Sequence, residues 1–162
     1  MNEIRIRPAG PADMPAVHQL VRELAEYERA PEEVLTSPEE LLADGFGPRP
    51  SFECLVAENP EGDMAGIALF FTAYSTWKGR VLYLDDLVVT ERFRGRGIGP
   101  MLLEAVRDLA RARGMRQVRW QVLKWNTPAI RMYERYAPEM DGEWINCRLH
   151  VHSGGAQPEQ DA

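Results

Sequence analysis

Three periodicities divide the chain. Ile4 and Ile6 alternate with Arg5 and Arg7, a period of two that predicts an opening strand. From Gly10-Pro11 or Asp13 onward the spacing lengthens. Met14, Val17, Leu20, Val21, Leu24 and Ala25 recur at three and four, the stripe of an amphipathic helix. Pro31 and Pro38 bracket a polar turn, and Ser37-Pro38-Glu39-Glu40 has the cap and first-turn chemistry of a second, short helix through Asp44. Residues 45–50 read as loop. Runs at 52–58, 65–74 and 81–89 read as successive strands, separated by Asn59-Pro60-Glu61-Gly62-Asp63 and Ser75-Thr76-Trp77-Lys78-Gly79. Helical spacing returns with Ile98, Met101, Leu102, Ala105, Val106, Leu109 and Ala110, closed by Gly114. Val118, Trp120 and Val122 alternate with polar neighbours in a fifth strand. Asn126-Thr127-Pro128 starts a fourth helix with Ala129, Ile130 and Tyr133 inward, and residues 144–151 read as a last strand. The order β-α-α-β-β-β-α-β-α-β predicts a mixed α+β domain over 1–152, and residues 153–162 form a polar tail expected to be disordered.

Composition narrows the class. A chain of 162 residues with 44% hydrophobic and 27% charged positions suits one soluble globular domain with a sizeable core. No apolar run approaches the ~20 residues of a membrane span, and the first residues do not read as a signal peptide. Cys54 and Cys147 each fall in an expected strand, so two buried thiols in a reducing cytoplasm are expected. The cysteines and the scattered His18, His150 and His152 lack metal-ligand spacing, and no metal site is expected. Net charge is −6 but uneven: residues 23–63 hold 12 acids and 2 bases, and residues 91–148 hold 7 acids and 12 bases. That polarity excludes a nucleic-acid binder and suits a polyanion held late in the chain and a cation held early.

The basic half contains Arg94-Gly95-Arg96-Gly97-Ile98-Gly99-Pro100, set between the apolar strand and the third helix. Glycines let backbone N–H groups approach a ligand, and the helix start adds unpaired donors and positive dipole, so the junction suits a phosphate. A P-loop would need a Gly-Lys-Ser/Thr ending that is missing. A dinucleotide fingerprint would need a third glycine and an acid about 20 residues on, where Arg119-Trp120 stand. The remaining pattern is R-x-x-G-x-G, met by Arg94, Gly97 and Gly99.

This loop resembles the acetyl-CoA pyrophosphate loop of the GNAT N-acetyltransferase superfamily. The resemblance extends over residues 3–150, through Ile6-Arg7-Pro8-Ala9, Glu23-Leu24-Ala25-Glu26-Tyr27-Glu28, Asp44-Gly45-Phe46-Gly47, Cys54-Leu55-Val56-Ala57-Glu58, Leu82-Tyr83-Leu84-Asp85-Asp86 and Trp125-Asn126-x-Pro128-x-Ile130-x-x-Tyr133. These look like the spermidine/spermine branch, which includes diamine and thialysine acetyltransferases. The resemblance implies a GNAT fold with a mixed sheet of six to seven strands and four helices. It also implies acetyl-CoA as co-substrate, a cationic small-molecule amine as acceptor, direct transfer and a homodimer.

It further implies residue roles. Leu87, Val88 and Val89 would pair their backbone with the pantetheine arm. The loop from Arg94 through Gly95, Arg96, Gly97, Ile98 and Gly99 to Pro100 would hold the pyrophosphate, and Asn126 would touch the cofactor. Tyr27, Glu28, Trp77, Asp85 and Asp86 would contact the amine. An alkylammonium is ~99.9% protonated near neutral pH, about 4 kcal/mol short of its nucleophilic form, and carboxylates near it help bind the cation and can relay its proton through water. Adjacent strand residues point to opposite faces, so one of Asp85 and Asp86 would face the amine. The branch has glutamate where this chain has Asp85. Tyr133 would protonate the leaving thiolate, with Tyr136 three residues on as the rival. Two departures stand out: Ser75, where the branch carries an acid, and Ala137, where glycine is usual. Acetylation of a protein lysine or N-terminus, and a silent acyl-CoA sensor, are the alternative functions.

Overall fold

The computed structural model describes residues 3–152. A five-stranded sheet runs in the spatial order β1 (Arg5–Pro8), β2 (Glu53–Glu58), β3 (Met64–Ser75), β4 (Gly79–Val89), β5 (Val118–Arg119). The first four strands are antiparallel neighbours, and β5 joins β4 in parallel. Four α-helices, α1 (Met14–Tyr27), α2 (Pro38–Phe46), α3 (Ile98–Ala112) and α4 (Thr127–Glu134), complete the mixed α+β fold.

The helices are stopped and started by the residues that suggested them. Ser37 accepts a hydrogen bond from the Glu40 N–H, and Glu40 reaches back to the Ser37 N–H, a reciprocal box at the start of α2. Asn126 caps α4 by accepting from the Ala129 N–H. The apolar stripe of α1 buries Met14, Val17 and Leu20 against Val56, Ile67, Leu69 and Val88 on one sheet face. The stripe of α3 buries Ile98, Leu102, Leu103, Val106 and Ala110 on the other, with Ala68, Phe70, Leu82, Leu84 and Tyr133. Sheet and helices thus form three layers with a core on each side.

One irregularity in β4 sets up the site. Leu69 pairs with Asp86 and Phe70 with Leu84, so Asp85 is an extra residue without a partner, a β-bulge. The bulge shifts the alternation: Leu82 and Leu84 before it, and Leu87 and Val89 after it, all pack on the α3 side.

Two expectations need correction. Among the described residues the sheet has five strands, not six to seven. β5 stops after two residues because β4 and the chain beyond Arg119 diverge. Residues 144–151 find no strand partner, leaving Trp144, Ile145, Leu149 and Val151 at 75%, 86%, 89% and 81% exposure. For the same reason Cys147 is exposed, whereas Cys54 is buried. The expected polar tail, 153–162, lies outside the described residues.

Candidate active site

Where β4 and β5 part, a cleft of about 250 Å³ opens. The strands hold together only at Leu82–Val118 and Tyr83–Arg119. Beyond that point one wall is Leu84, Asp85 and Leu87 of β4, and the other is Trp120, Gln121, Val122 and Leu123. Leu24 and Glu28, from the end of α1, close one side. Asn126, Ala129 and Tyr133, from α4, close another, and Asn146 and Arg148 reach in from the late segment. The edge of β4 facing the split has lost its strand neighbour, so its backbone can pair with an inserted chain.

The bulge separates the two aspartates. Asp85 lines the cleft and keeps solvent contact, whereas Asp86 is enclosed near Cys54, whose thiol it helps push up to about 12 behind the larger effect of burial. Burial raises the Asp85 carboxyl above its ordinary range. Burial, and then the charge of Asp85, raise Glu28. Asp86 is pushed up to about 7 by burial first, then by repulsion from Asp85 and Glu28. Three carboxylates with so little compensation attract a cation, and each holds a proton more readily than an ordinary carboxylate.

Tyr133 is buried, packs against Trp120 in a tilted ring pair with centroids 5.1 Å apart, and lines the cleft. Its hydroxyl has no hydrogen-bond partner among the described residues. Burial, then the charge of Glu28, raise it to about 12, so it stays protonated and able to donate. Tyr136 instead gives its hydroxyl proton to Glu104 at 2.8 Å, outside the cleft.

The basic loop lies at the start of α3. Gly95 and Gly97 have φ of 75° and 76°, and a Cβ at either would meet nothing within 4 Å. The cradle is therefore open, and left-handed backbone makes these positions strained for other residues. Ile98 and Gly99 present helix-start N–H groups with no intrahelical acceptor, and Pro100 has none to satisfy. Arg94 binds the Val89 carbonyl at 3.0 Å and Glu23 at 3.4 Å, and Arg92 pairs with Asp63 at 3.0 Å. Arg96 binds only the Arg92 carbonyl, so its charge is free of any acid among the described residues. Gly99 serves packing rather than the cradle. A Cβ there would sit 3.1 Å from Met132 Sδ, so the bare backbone lets α3 approach α4. The open backbone, free donors and guanidinium groups fit a pyrophosphate, and the cleft edge beside them fits the arm of acetyl-CoA.

Other expected residues are placed unevenly. Leu87 faces the cleft, Val88 is buried on the α1 side, and Val89 offers its carbonyl to Arg94. Tyr27 donates its hydroxyl to Asn126 Oδ1 at 3.2 Å, tying α1 to α4 at the mouth. Trp77, expected as a wall, is 85% exposed in the β3–β4 turn and does not line the cleft. Ser75 organises that turn, its hydroxyl accepting from the Trp77 and Lys78 N–H groups and from Arg119. Gln121, Asn146 and Arg148 went unrecognised. Their only sequence signal is a polar position alternating with apolar ones in expected strands.

This arrangement, a sheet split beside a glycine–arginine loop with carboxylates on one wall and a protonated tyrosine on the other, defines a class of acyl-group transferase. The profile of the acetyltransferase (GNAT) family matches residues 16–137, and the chain belongs to that family and is an N-acetyltransferase. It is 42% identical over 141 residues to a thialysine N-epsilon-acetyltransferase of Sus scrofa, covering 83% of each chain. It is 34% identical over 139 residues to the spermidine/spermine N(1)-acetyltransferase-like protein 1 of Homo sapiens, covering 82% of this chain and 20% of that one. An aminoglycoside N-acetyltransferase solved in complex with CoA superposes with a TM-score of 0.71 at 19% identity, over 92% of this chain and 96% of that one.

Proposed function

We propose that the protein acetylates the primary amine of a small cationic molecule, of polyamine, diamine or thialysine type, using acetyl-CoA. The observation that carries this reading is the pairing of Glu28 and Asp85 with Tyr133 across one cleft, beside the open loop at Gly95–Gly97. The names of the thialysine and spermidine/spermine relatives support the acceptor class. Acetyl-CoA, when bound along β4 and the loop, supplies an activated acetyl group on a thioester. Glu28 and Asp85 hold the ammonium, and their raised affinity for protons lets Asp85 receive the amine proton, directly or through water. Asp86 adds negative potential from behind. Tyr133 Oη holds the proton that the departing sulfur requires, and Trp120 fixes the ring that carries it. The test is thiol release from acetyl-CoA across a panel of diamines, polyamines, thialysine and amino acids, with products identified by mass spectrometry. Acetylated small amines are expected; thiol release only with protein acceptors would overturn the reading.

A homodimer working in the cytoplasm is also part of this proposal. The four large apolar side chains left bare between Trp144 and Val151 support a second copy covering them. The free thiols of Cys54 and Cys147 suit a reducing compartment. Light scattering at micromolar concentration should give twice 18.4 kDa, and a monomer would overturn the assembly.

A further inference from the structure

Upstream of Glu28 on the same helix, Glu23 is turned toward the segment that joins β4 to the glycine–arginine loop. Its carboxylate accepts three hydrogen bonds from that segment. Thr90 Oγ1 donates to Oε2 at 2.9 Å, and the Glu91 N–H and Arg94 Nη2 donate to Oε1 at 2.9 and 3.4 Å. The Thr90 N–H bonds the Ala65 carbonyl at 3.0 Å, which continues the pairing with β3 past Val89. The Glu91 N–H beyond it has no backbone acceptor among the described residues, and Glu23 supplies one. Arg94 is held on a second side as well. Its Nε donates to the Val89 carbonyl at 3.0 Å, and its guanidinium carbon lies 5.4 Å from the centre of the Tyr27 ring. Nη1 has no partner among the described residues, and the side chain is 44% exposed, so this nitrogen is left for a ligand.

We propose that Glu23 is a positioning residue for the cofactor: it fixes the entry to the loop and holds the Arg94 guanidinium with Nη1 free to meet the pyrophosphate. This rests on reading the loop as the holder of acetyl-CoA. An exposed ion pair between Glu23 and Arg94 alone would contribute little. Glu23 differs because one carboxylate gathers a side-chain hydroxyl, a backbone N–H and a guanidinium from within the same short segment. A long arginine side chain loses much rotamer freedom when it grips a phosphate, and one already fixed by Val89 and Glu23 has lost it before the cofactor arrives. Two effects of Glu23 oppose each other here. Its negative charge repels an incoming polyanion, and its hydrogen bonds arrange the groups that bind it. Both carboxylate oxygens are occupied by donors from the loop side, so the charge is directed at the segment it orders, and the ordering outweighs the repulsion. The same helix then serves both substrates, with Glu23 ordering the cofactor loop and Glu28 lining the cleft.

The experiment measures acetyl-CoA affinity of the full chain by calorimetry, with steady-state kinetics on the best acceptor of the amine panel. Glu23→Gln keeps the size of the side chain but loses the charge and one acceptor oxygen. It should weaken acetyl-CoA binding by about 10-fold and raise the KM for acetyl-CoA to match, with kcat and the amine KM at parent values. Glu23→Asp keeps the charge with less reach and should recover part of the affinity. Arg94→Gln should weaken binding too. Because Glu23 acts largely through that guanidinium, the double variant should lose less than the product of the two single losses. If Glu23→Gln does not fold, Glu23→Asp with and without Arg94→Gln gives the same comparison. Unchanged or tighter binding in the Glu23 variant, or losses that multiply in the double variant, overturns the positioning role and leaves the loop as the cofactor site. A parent protein that binds no acetyl-CoA overturns the underlying reading together with it.

Discussion

β4 is bonded to β3 along its length and backed by α1 on one face and α3 on the other, whereas the opposite wall of the cleft meets the sheet at two strand pairs and then runs free. The supported wall carries the bulged Asp85 and, beside it, the loop that suits the cofactor. The free wall carries Trp120 and Gln121, and past α4 it continues into the bare segment with Asn146 and Arg148. Chemistry shared by every substrate needs atoms held to fractions of an ångström, and the packed wall provides that. Choice among substrates tolerates, and benefits from, a wall that can be remodelled without disturbing the core.

The sharpest way to break this contrast is at Tyr133, which the packed core on the α3 side holds in place. Tyr133→Phe removes one hydroxyl that no other group among the described residues binds and keeps the tilted ring contact with Trp120. Loss of a general acid of this kind typically costs 10²–10⁴ in rate, about 3–5 kcal/mol, so kcat should collapse while the KM for acetyl-CoA holds. If Tyr133→Phe is fully active and Tyr136→Phe is not, the acid comes from the wrong face of α4 and the contrast fails.

Next in size is the loop. Gly97 is the N-cap of α3 at φ 76°, and valine there forces a β-branched residue into left-handed backbone and a side chain into the open cradle. Gly97→Val should weaken acetyl-CoA binding by about 10²-fold, roughly 3 kcal/mol. Unchanged calorimetric affinity in a folded variant would show that the cradle does not hold the cofactor.

The packed region was legible because its signals are local and redundant. Stripes at three and four on α1 and α3, caps at Ser37 and Asn126, and the glycine–arginine junction each dictate structure within a few residues. The bulge was not legible: Asp85 and Asp86 read as ordinary alternation, and only the pairing of Leu69 and Phe70 with β4 reveals the extra residue. Residues 144–151 alternate like a strand, yet alternation specifies a strand only where an edge is available to pair with it. Trp77 failed as a wall because an aromatic in a hairpin turn goes where the turn points, here into solvent. Arg148 was invisible because its meaning depends on a cleft formed by elements more than a hundred residues apart.

Asp86 tests the cost of the supported wall. Its folded-state carboxyl titrates at about 7, against about 4 in an unfolded chain, so it favours the fold when protonated. That contribution is fully present below pH 4 and is lost as pH rises toward and through 7. Asp86→Asn removes the titration and leaves the Asp85 and Glu28 carboxyls raised by their own burial. Denaturant unfolding should show the variant more stable than the parent by about 2 kcal/mol at pH 8 and no more stable at pH 4, a net of the shift less the burial of an amide. The reverse pH trend would mean that Asp86 is charged and satisfied in the fold.

The smallest effect is expected where the free wall begins. Ala137 follows α4 with φ 48°, and its N–H bonds the Glu134 carbonyl at 3.0 Å, a helix-ending turn that glycine adopts without strain. Alanine in this left-handed conformation costs about 1 kcal/mol, part of which glycine gives back through the greater freedom of its unfolded chain. Ala137→Gly should therefore raise stability by only about 0.5 kcal/mol, or ~1–2 °C in Tm. Because the turn joins α4 to the segment bearing Arg148, the same variant also tests how loosely that segment is coupled to the chemistry. With loose coupling, kcat stays at the parent value and any change falls on the KM for the amine. A fall in Tm would show that the left-handed turn is not adopted, and a fall in kcat would show that the two walls are more tightly joined than their packing indicates.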